Sequence, residues 1–387
     1  MAMEKKIVDP ASPIGTPLVH VLQVVGEPAG GIRKHIHSII EGLDAERFCC
    51  SYAYSTTYVD ARFQHEIDLL RGKLRGELPL LVNKKPHPSD LANLWKLIRY
   101  VKRNRVDIVH GHGAKGGLYA RLVGMVCRVP AIYTPHGGVA HRMFGSLEDA
   151  VYTFVERCMV RFTHCFIFES NYTAASYLSK VGKISRPWLV NHNGIKCPPV
   201  DEVQSRSARE TTKIGVFGIL RREKGQIHLI NAIASTIDSG HEKIRLHVYG
   251  DGPDRVALEQ RVDSLGLREK VVFYGDVANP EQEMAKMDII VIPSMFESFG
   301  YVGLEAMALR KPVIASAVGG LLEIFDEGTA LLVPPGDEQA LAQAICRYIQ
   351  HPDEASKMAT QGLKRCAKQF ALEGMIETLS LQYLNAR

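Results

Sequence analysis

From Asp288 the chain reads DIIVIPSMFESFGYVGLE, ending at Glu305. Asp288–Ile292 is a short β-branched apolar run, as expected of a strand buried on both faces. Pro293 ends it. Glu297 then falls in a loop, a helix is predicted to begin near Phe299 and Gly300, and Glu305 lands in its second turn. Strand, turn and helix in that order make half of a βαβ unit, and such units build parallel sheets covered by helices.

The same alternation runs outward in both directions. Upstream, strands are predicted at Lys213–Gly218, Arg245–Tyr249 and Val271–Tyr274, with a helix at Ile227–Ser235; Val313–Ala315 follows downstream, and 338–387 reads as helical throughout. The first half repeats the scheme. Leu18–Val25, Asp107–Val109, Ala131–Thr134 and Cys165–Phe168 read as strands, with helices at Ile32–Leu43 (opened by Gly30 and Gly31) and Leu91–Arg105. Between the halves, 196–212 is polar, carries Pro198-Pro199 and has no apolar period, the signature of a linker. The fold class is therefore α/β: two Rossmann-like, doubly wound domains, 1–197 and 210–387, facing a central cleft. Ligands of such sheets bind beyond the carboxyl ends of the strands, so the loops leaving strands are where chemistry is expected.

Composition narrows the function. In 387 residues, 46% are hydrophobic and 23% charged, ordinary for a globular protein, and no apolar run is long enough to span a bilayer. Met1–Pro17 reads without a signal-peptide core. The eight cysteines form no C-x-x-C pair, which points to free thiols in a reducing, cytoplasmic setting. The net charge of +5 is uneven: residues 1–195 carry +9 and residues 196–387 carry −4. An anionic partner is thus expected for the first half only, whether nucleic acid, an anionic membrane face or a phosphate-bearing acceptor.

Glu297 and Glu305 bracket a helix start whose free N–H groups and positive dipole suit a diphosphate, while carboxylates suit sugar or ribose hydroxyls. Alone, the pair also fits a capping Glu297 and a surface Glu305. His136 ends a strand, and taken alone is as compatible with a structural role as a functional one. Lys115 lies in a glycine-rich loop after His110-Gly-His112-Gly and is a candidate for an acceptor phosphate. His110 and His112 make a poor metal pair without a carboxylate, and no D-x-D occurs, so no metal is expected. His35 reads as packing, His37 is left open, and Ser170 reads as an N-cap.

The Glu297–Glu305 segment resembles the E-x7-E motif of retaining glycosyltransferases of family 4, which have the two-Rossmann GT-B fold. Val248–Pro253 (VYGDGP), Phe273–Asp276 (FYGD), Lys311–Gly320 (KPVIASAVGG) with Glu323, and Leu331–Asp337 (LLVPPGD) resemble further family segments in order. In the first half Gly30-Gly31, Tyr133–Gly137 (YTPHG) and Asn193-Gly194 do likewise. GGIRKHIHSII and HGHGAKGGLYARL are similar to bacterial enzymes of surface-polysaccharide assembly.

The resemblance implies roles. Glu305 would hold the donor ribose and Glu297 the transferred sugar. Gly31, Gly250, Asp276, Ser298, Phe299 and Gly300 would line the donor site, and Gly30 with Lys115 the acceptor side. The family's diphosphate-binding segment reads GILRREKG here (218–225): Lys224 matches, Ile219 stands in the usual Arg position, and Arg221 is taken as its substitute over Arg222. His136 would face the donor. Two cations at a leaving diphosphate stabilise the charge that develops there.

The implied reaction is metal-independent, configuration-retaining transfer from a nucleotide-sugar, UDP-sugar first and GDP-mannose next, without a cofactor. The implied acceptor is a saccharide or a polyprenyl-diphosphate-linked saccharide. Nucleic acid then drops out as a partner. The resemblance also allows the last helix to cross back to the first domain. Leu91–Arg105, with Trp95, Tyr100 and five cations, is a candidate for contact with the inner membrane face. Rival readings are a sugar-nucleotide epimerase on the same fold, a dinucleotide oxidoreductase (disfavoured, because the first turn reads GEPAGG rather than GxGxxG) and a non-catalytic sugar-binding protein.

Overall fold

The computed structural model describes residues 18–57, 59, 61–83, 85–137, 146–199 and 210–387. Met1–Pro17 and linker residues 200–209 lie outside the described residues.

The first sheet contains β1 (Val19–Val25), β2 (Phe48–Ser55), β3 (Leu74–Leu80), β4 (Ile108–His112), β5 (Ala131–Thr134), β6 (Cys165–Phe168) and β7 (Trp188–Val190). Its order is β3-β2-β1-β4-β5-β6-β7, with every pairing parallel. The second contains β8 (Thr212–Phe217), β9 (Ile244–Tyr249), β10 (Val271–Gly275), β11 (Ile289–Ile292), β12 (Val313–Ser316) and β13 (Leu331–Val333). It runs β10-β9-β8-β11-β12-β13, again all parallel. Strand order reverses between β1 and β4 and between β8 and β11, so each domain has one switch-point crevice.

Helices α1 (Gly30–Gly42), α2 (Ala61–Leu70), α3 (Ser89–Asn104), α4 (Gly113–Cys127), α5 (Ser146–Met159) and α6 (Asn171–Val181) alternate with the first set of strands. The second set alternates with α7 (Gln226–Asp238), α8 (Arg255–Ser264), α9 (Pro280–Ala285), α10 (Tyr301–Ala308) and α11 (Leu321–Ile324). Helices α12 (Glu338–Gln350), α13 (Pro352–Gln369) and α14 (Leu372–Ala386) close the chain. Strands β2, β3, β7 and β13 escape the sequence reading. β3 carries a Gly and a Pro and stays half-exposed at the sheet edge, where neither residue breaks a central ladder.

The chain passes between domains twice at one place. Ile195 N–H donates to Phe370 O (2.9 Å), and Leu372 N–H donates to Ile195 O (3.0 Å). Beyond that crossing α14 buries Met375, Ile376, Leu379 and Tyr383 in the first domain's core against Val21, Ile36 and Ile39. Two free thiols also meet near it, Cys197 and Cys366, with sulfurs 3.2 Å apart.

The glycines of HGHGAKGG serve packing. A Cβ on Gly116 would lie 2.4 Å from Val24 O, and one on Gly117 would lie 2.1 Å from the Tyr133 ring. Helix α4 therefore sits directly on the sheet and begins straight after His112. This corrects the reading of Lys115 as a loop residue: it is in the first turn of α4. Among the described residues no helix is long and apolar enough to cross a membrane.

Candidate active site

In the second domain the turn after β8 carries the cations. Arg222–Lys224 form one 3-10 turn, closed by Gly225 at φ 67°, where a Cβ would meet Pro293 O at 2.0 Å. That contact locks the cationic turn to the start of the Glu297 loop. Lys224 Nζ donates to Glu297 Oε2 at 2.5 Å, and Ser294 Oγ also reaches that oxygen at 3.3 Å. Arg221 Nε, 3.8 Å from Glu223, is buried without a hydrogen-bond partner. Such a donor remains available to an incoming acceptor atom. Arg222 is exposed.

Helix α10 is capped by Gly300 at φ 113°, with no side-chain cap. Glu297 therefore does not cap it, and Glu305 is not on the surface: it is buried at 8% exposure. Its partner is Lys34 of α1, which also binds Glu281 at 2.9 Å. Burial alone would lower the Lys34 ammonium's pKa, but Glu305 and Glu281 more than offset that and raise it. Lys34 thus joins the two domains at the carboxylate expected to hold the ribose. The sequence reading missed it, because a Lys on a helix face says nothing about what stands opposite.

Gly31 lies under Tyr301: a Cβ there would be 3.3 Å from that ring. Gly30 opens α1 at φ 52° with open space around it. Ser298 O accepts from Ser170 Oγ of the first domain at 2.7 Å. Phe299 is 2% exposed and packs against His192 and Phe370, so its ring is taken up by the core. Gly250, at φ 120°, sits against Gly218 O. Asp276 is exposed beyond β10. Lys115 is engaged within the first domain, its ammonium 2.7 Å from Asp90 and also bonded to Lys85 O.

The first domain contributes a buried polar chain. His136, past the end of β5 at φ 51°, donates from Nδ1 to Glu169 (3.0 Å) and meets His112 Nδ1 through Nε2 at 3.0 Å. His112 Nε2 donates to Gln23 Oε1 (2.7 Å), and the Gln23 amide donates to the Tyr383 hydroxyl (3.0 Å). Tyr383 donates to His110 Nδ1 (2.7 Å), whose other nitrogen meets Thr134 Oγ1 (2.9 Å). Burial holds His110 and His112 well below the ordinary histidine range, and burial with the neighbouring His136 pushes His35 down to about 3. Burial alone would raise the Glu169 carboxyl. His136, together with hydrogen bonds from His136 and Asn193, instead holds it below the usual value. His35, read as packing, belongs to this cluster, its ring centroid 5.0 Å from that of His136. His37 instead pairs with Glu66 at 3.1 Å.

Glu323 ties the domains together. It accepts from the Asn171 and Tyr172 N–H groups at the start of α6 (2.9 and 2.8 Å), from the Asn171 amide and from His192. Burial would raise this carboxyl, but those hydrogen bonds, His192 first, bring it down to about 2. Ser170 caps the same helix in a reciprocal box with Thr173, in agreement with the sequence.

Family models match both halves of the chain: Glycosyltransferase Family 4 over residues 29–197 and Glycosyl transferases group 1 over residues 211–351. The 2-deoxystreptamine glucosyltransferase of Streptomyces kanamyceticus is 29% identical over 73% of this chain and 78% of its own length. The capsular polysaccharide biosynthesis glycosyltransferase CapM of Staphylococcus aureus is 26% identical over 76% of this chain and 81% of its own. Among solved structures, HepE of Anabaena in complex with UDP and glucose superposes with a TM-score of 0.80 at 20% identity, covering 95% of this chain and all of that one.

Proposed function

The chain belongs to the group 1 and family 4 glycosyltransferases, and from that premise we propose that it moves a hexose from a nucleotide-sugar to a saccharide or polyprenyl-diphosphate-linked acceptor, with retention, in surface-polysaccharide assembly. The observation that carries the reading is the Lys224–Glu297 pair at the second switch point, beside Arg221, whose Nε makes no hydrogen bond, and the start of α10, which has no side-chain cap. These residues are cationic where a leaving diphosphate gathers charge and anionic where sugar hydroxyls donate. On donor binding Lys224 turns from Glu297 to the diphosphate, and Glu297 accepts from the sugar. Glu305 exchanges Lys34 for the ribose hydroxyls. His136, oriented by Glu169, lies on the opposite wall near the reacting sugar. The leaving phosphate oxygen takes the acceptor proton, and the protein supplies position and charge stabilisation without a metal on the diphosphate.

HepE was solved with UDP and with UDP-glucose, so UDP-sugars are the donors to try first. The test is a thermal-shift panel of UDP, GDP, ADP and NAD with and without EDTA. A ligand at about 100 Kd adds about 2.7 kcal/mol of apparent stability. A shift with one nucleoside diphosphate, unchanged by EDTA, supports the reading. A response to NAD alone, or to nothing, overturns it, as does conversion of a UDP-sugar with no acceptor present. Glu305→Ala is expected to weaken donor binding about tenfold, read by calorimetry; an unchanged Kd removes the ribose contact.

Peripheral membrane contact follows from α3. Leu91 and Trp95 stand exposed on one face, with Arg99 5.3 Å from the Trp95 ring. Tyr100 is excluded from that face, since its hydroxyl donates inward to Ser51. Sedimentation with anionic vesicles at low salt is expected to retain the protein and to release the Trp95→Ala variant.

A further inference from the structure

We propose that His35, His112 and His136 form a binding site for one divalent transition-metal ion of the zinc class, on the first-domain wall of the cleft. The inference does not depend on the assigned reaction. The three rings come from α1, the end of β4 and the residue beyond β5, and one nitrogen from each lies within 4.8 Å of the others. Tetrahedral zinc with bonds of about 2.0–2.1 Å needs its nitrogens about 3.3 Å apart. His112 Nδ1 and His136 Nε2 are already at 3.0 Å, so only His35 has to approach.

The outer shell is in place. In metal-bound histidines the far ring nitrogen usually donates to a carboxylate or carbonyl, which fixes the tautomer and turns a lone pair towards the metal. Here His136 Nδ1 faces the Glu169 carboxylate at 3.0 Å, and His112 Nε2 faces the Gln23 carbonyl at 2.7 Å. His35 adds a separate observation. It is buried, and neither ring nitrogen makes a hydrogen bond of normal geometry, although the Asn193 side chain stands beside it. Such a group is costly to leave unpaired, and a metal bond satisfies one nitrogen.

His110 is excluded, since both its nitrogens are taken by Tyr383 and Thr134. Three imidazoles without a direct carboxylate select zinc, cobalt, nickel or copper over magnesium or calcium. Binding releases the proton shared by His112 Nδ1 and His136 Nε2 to solvent, so no redox partner is involved. The missing D-x-D argued against metal at the donor diphosphate, which is a different place.

The test is cobalt titration of the metal-stripped full chain, followed by visible absorption. The expected result is one equivalent bound with tetrahedral ligand-field bands and no thiolate charge-transfer band, competed out by zinc and not by magnesium. His35→Gln and Glu169→Gln are each expected to weaken binding 10- to 100-fold, with the melting temperature of each metal-free variant measured alongside to show that it is folded at the titration temperature. Absence of a stoichiometric site overturns the proposal. So does a thiolate band that disappears in Cys197→Ser/Cys366→Ser, or equal affinity in His35→Gln. If a variant fails to fold, the spectrum of the unmutated chain still decides between imidazole and thiolate ligands.

Discussion

On the first-domain wall of the cleft the polar groups are mainly imidazoles, an amide and a phenol, bonded to one another in a buried interior, His136, His112, Gln23, Tyr383 and His110, with the Glu169 carboxylate on His136. On the second-domain wall they are full charges in lysine–carboxylate pairs, Lys224 with Glu297, and Glu305 with Lys34, which reaches across from α1 of the first domain. Desolvation explains the difference. A buried imidazole discards its proton and remains a hydrogen-bonding group, whereas a carboxylate beside a lysine keeps its charge because the partner compensates it. The first wall is thus built to hold a fixed shape, and the second to exchange one ion partner for another. Ligand contact should therefore be read mainly in activity and affinity on the second wall, and in stability on the first.

The largest expected effect tests the second wall. Glu297→Ala should lower kcat by about 10²–10³-fold, the scale of losing one electrostatic stabiliser of a transition state. Nucleotide Kd from calorimetry should change little. Unchanged turnover would remove Glu297 from the reaction and break the contrast.

Glu323 spans the two walls, and its effect should appear in stability. Its folded-state pKa lies near 2 against an ordinary 4.5, so its stabilisation is complete above pH about 4.5 and lost as pH falls towards 2. Glu323→Gln should cost about 1.5–3 kcal/mol near neutral pH, the range for hydrogen bonds to charged groups, and flatten that acid slope. Urea denaturation at a series of pH values measures both. An unchanged slope would mean that the α6 cap is not held by this carboxylate.

Tyr383→Phe removes the hydroxyl that links Gln23 to His110. It should destabilise by about 1–2 kcal/mol and leave transfer rates near normal. A large loss of rate with unchanged stability would show that the histidine chain takes part in chemistry and not only in shape.

The smallest effect concerns Lys34. In Lys34→Met the Glu305 carboxylate has no cation to give up, so nucleotide should bind more tightly, by up to about fivefold, the value of one partly exposed ion pair. Weaker binding would instead mean that Lys34 contacts the nucleotide.

Much of the fold was legible because periodicity and turn chemistry are local. The apolar runs ending at Val25, Thr134, Phe168, Ile292 and Ala315 each appear in buried strands, and Gly30 and Gly300 stand at the helix starts read for them. Strand β3 was illegible because an edge strand tolerates Gly and Pro, which read as loop. The Glu297–Lys224 meeting was legible only through motif order. Lys34 on Glu305 and His35 beside His136 were not legible, since each joins residues far apart in sequence.

By itself, then, the sequence determined the alternating α/β architecture, the glycine-dependent turns and the chemical types placed at strand ends, because these depend on neighbours within a few residues. The tertiary structure alone decided which groups share an environment. It seated Lys115 on Asp90, brought α14 back to the first core, and turned three scattered histidines into one cluster. Burial and pairing set charge and reactivity, and both are properties of the folded neighbourhood rather than of the chain.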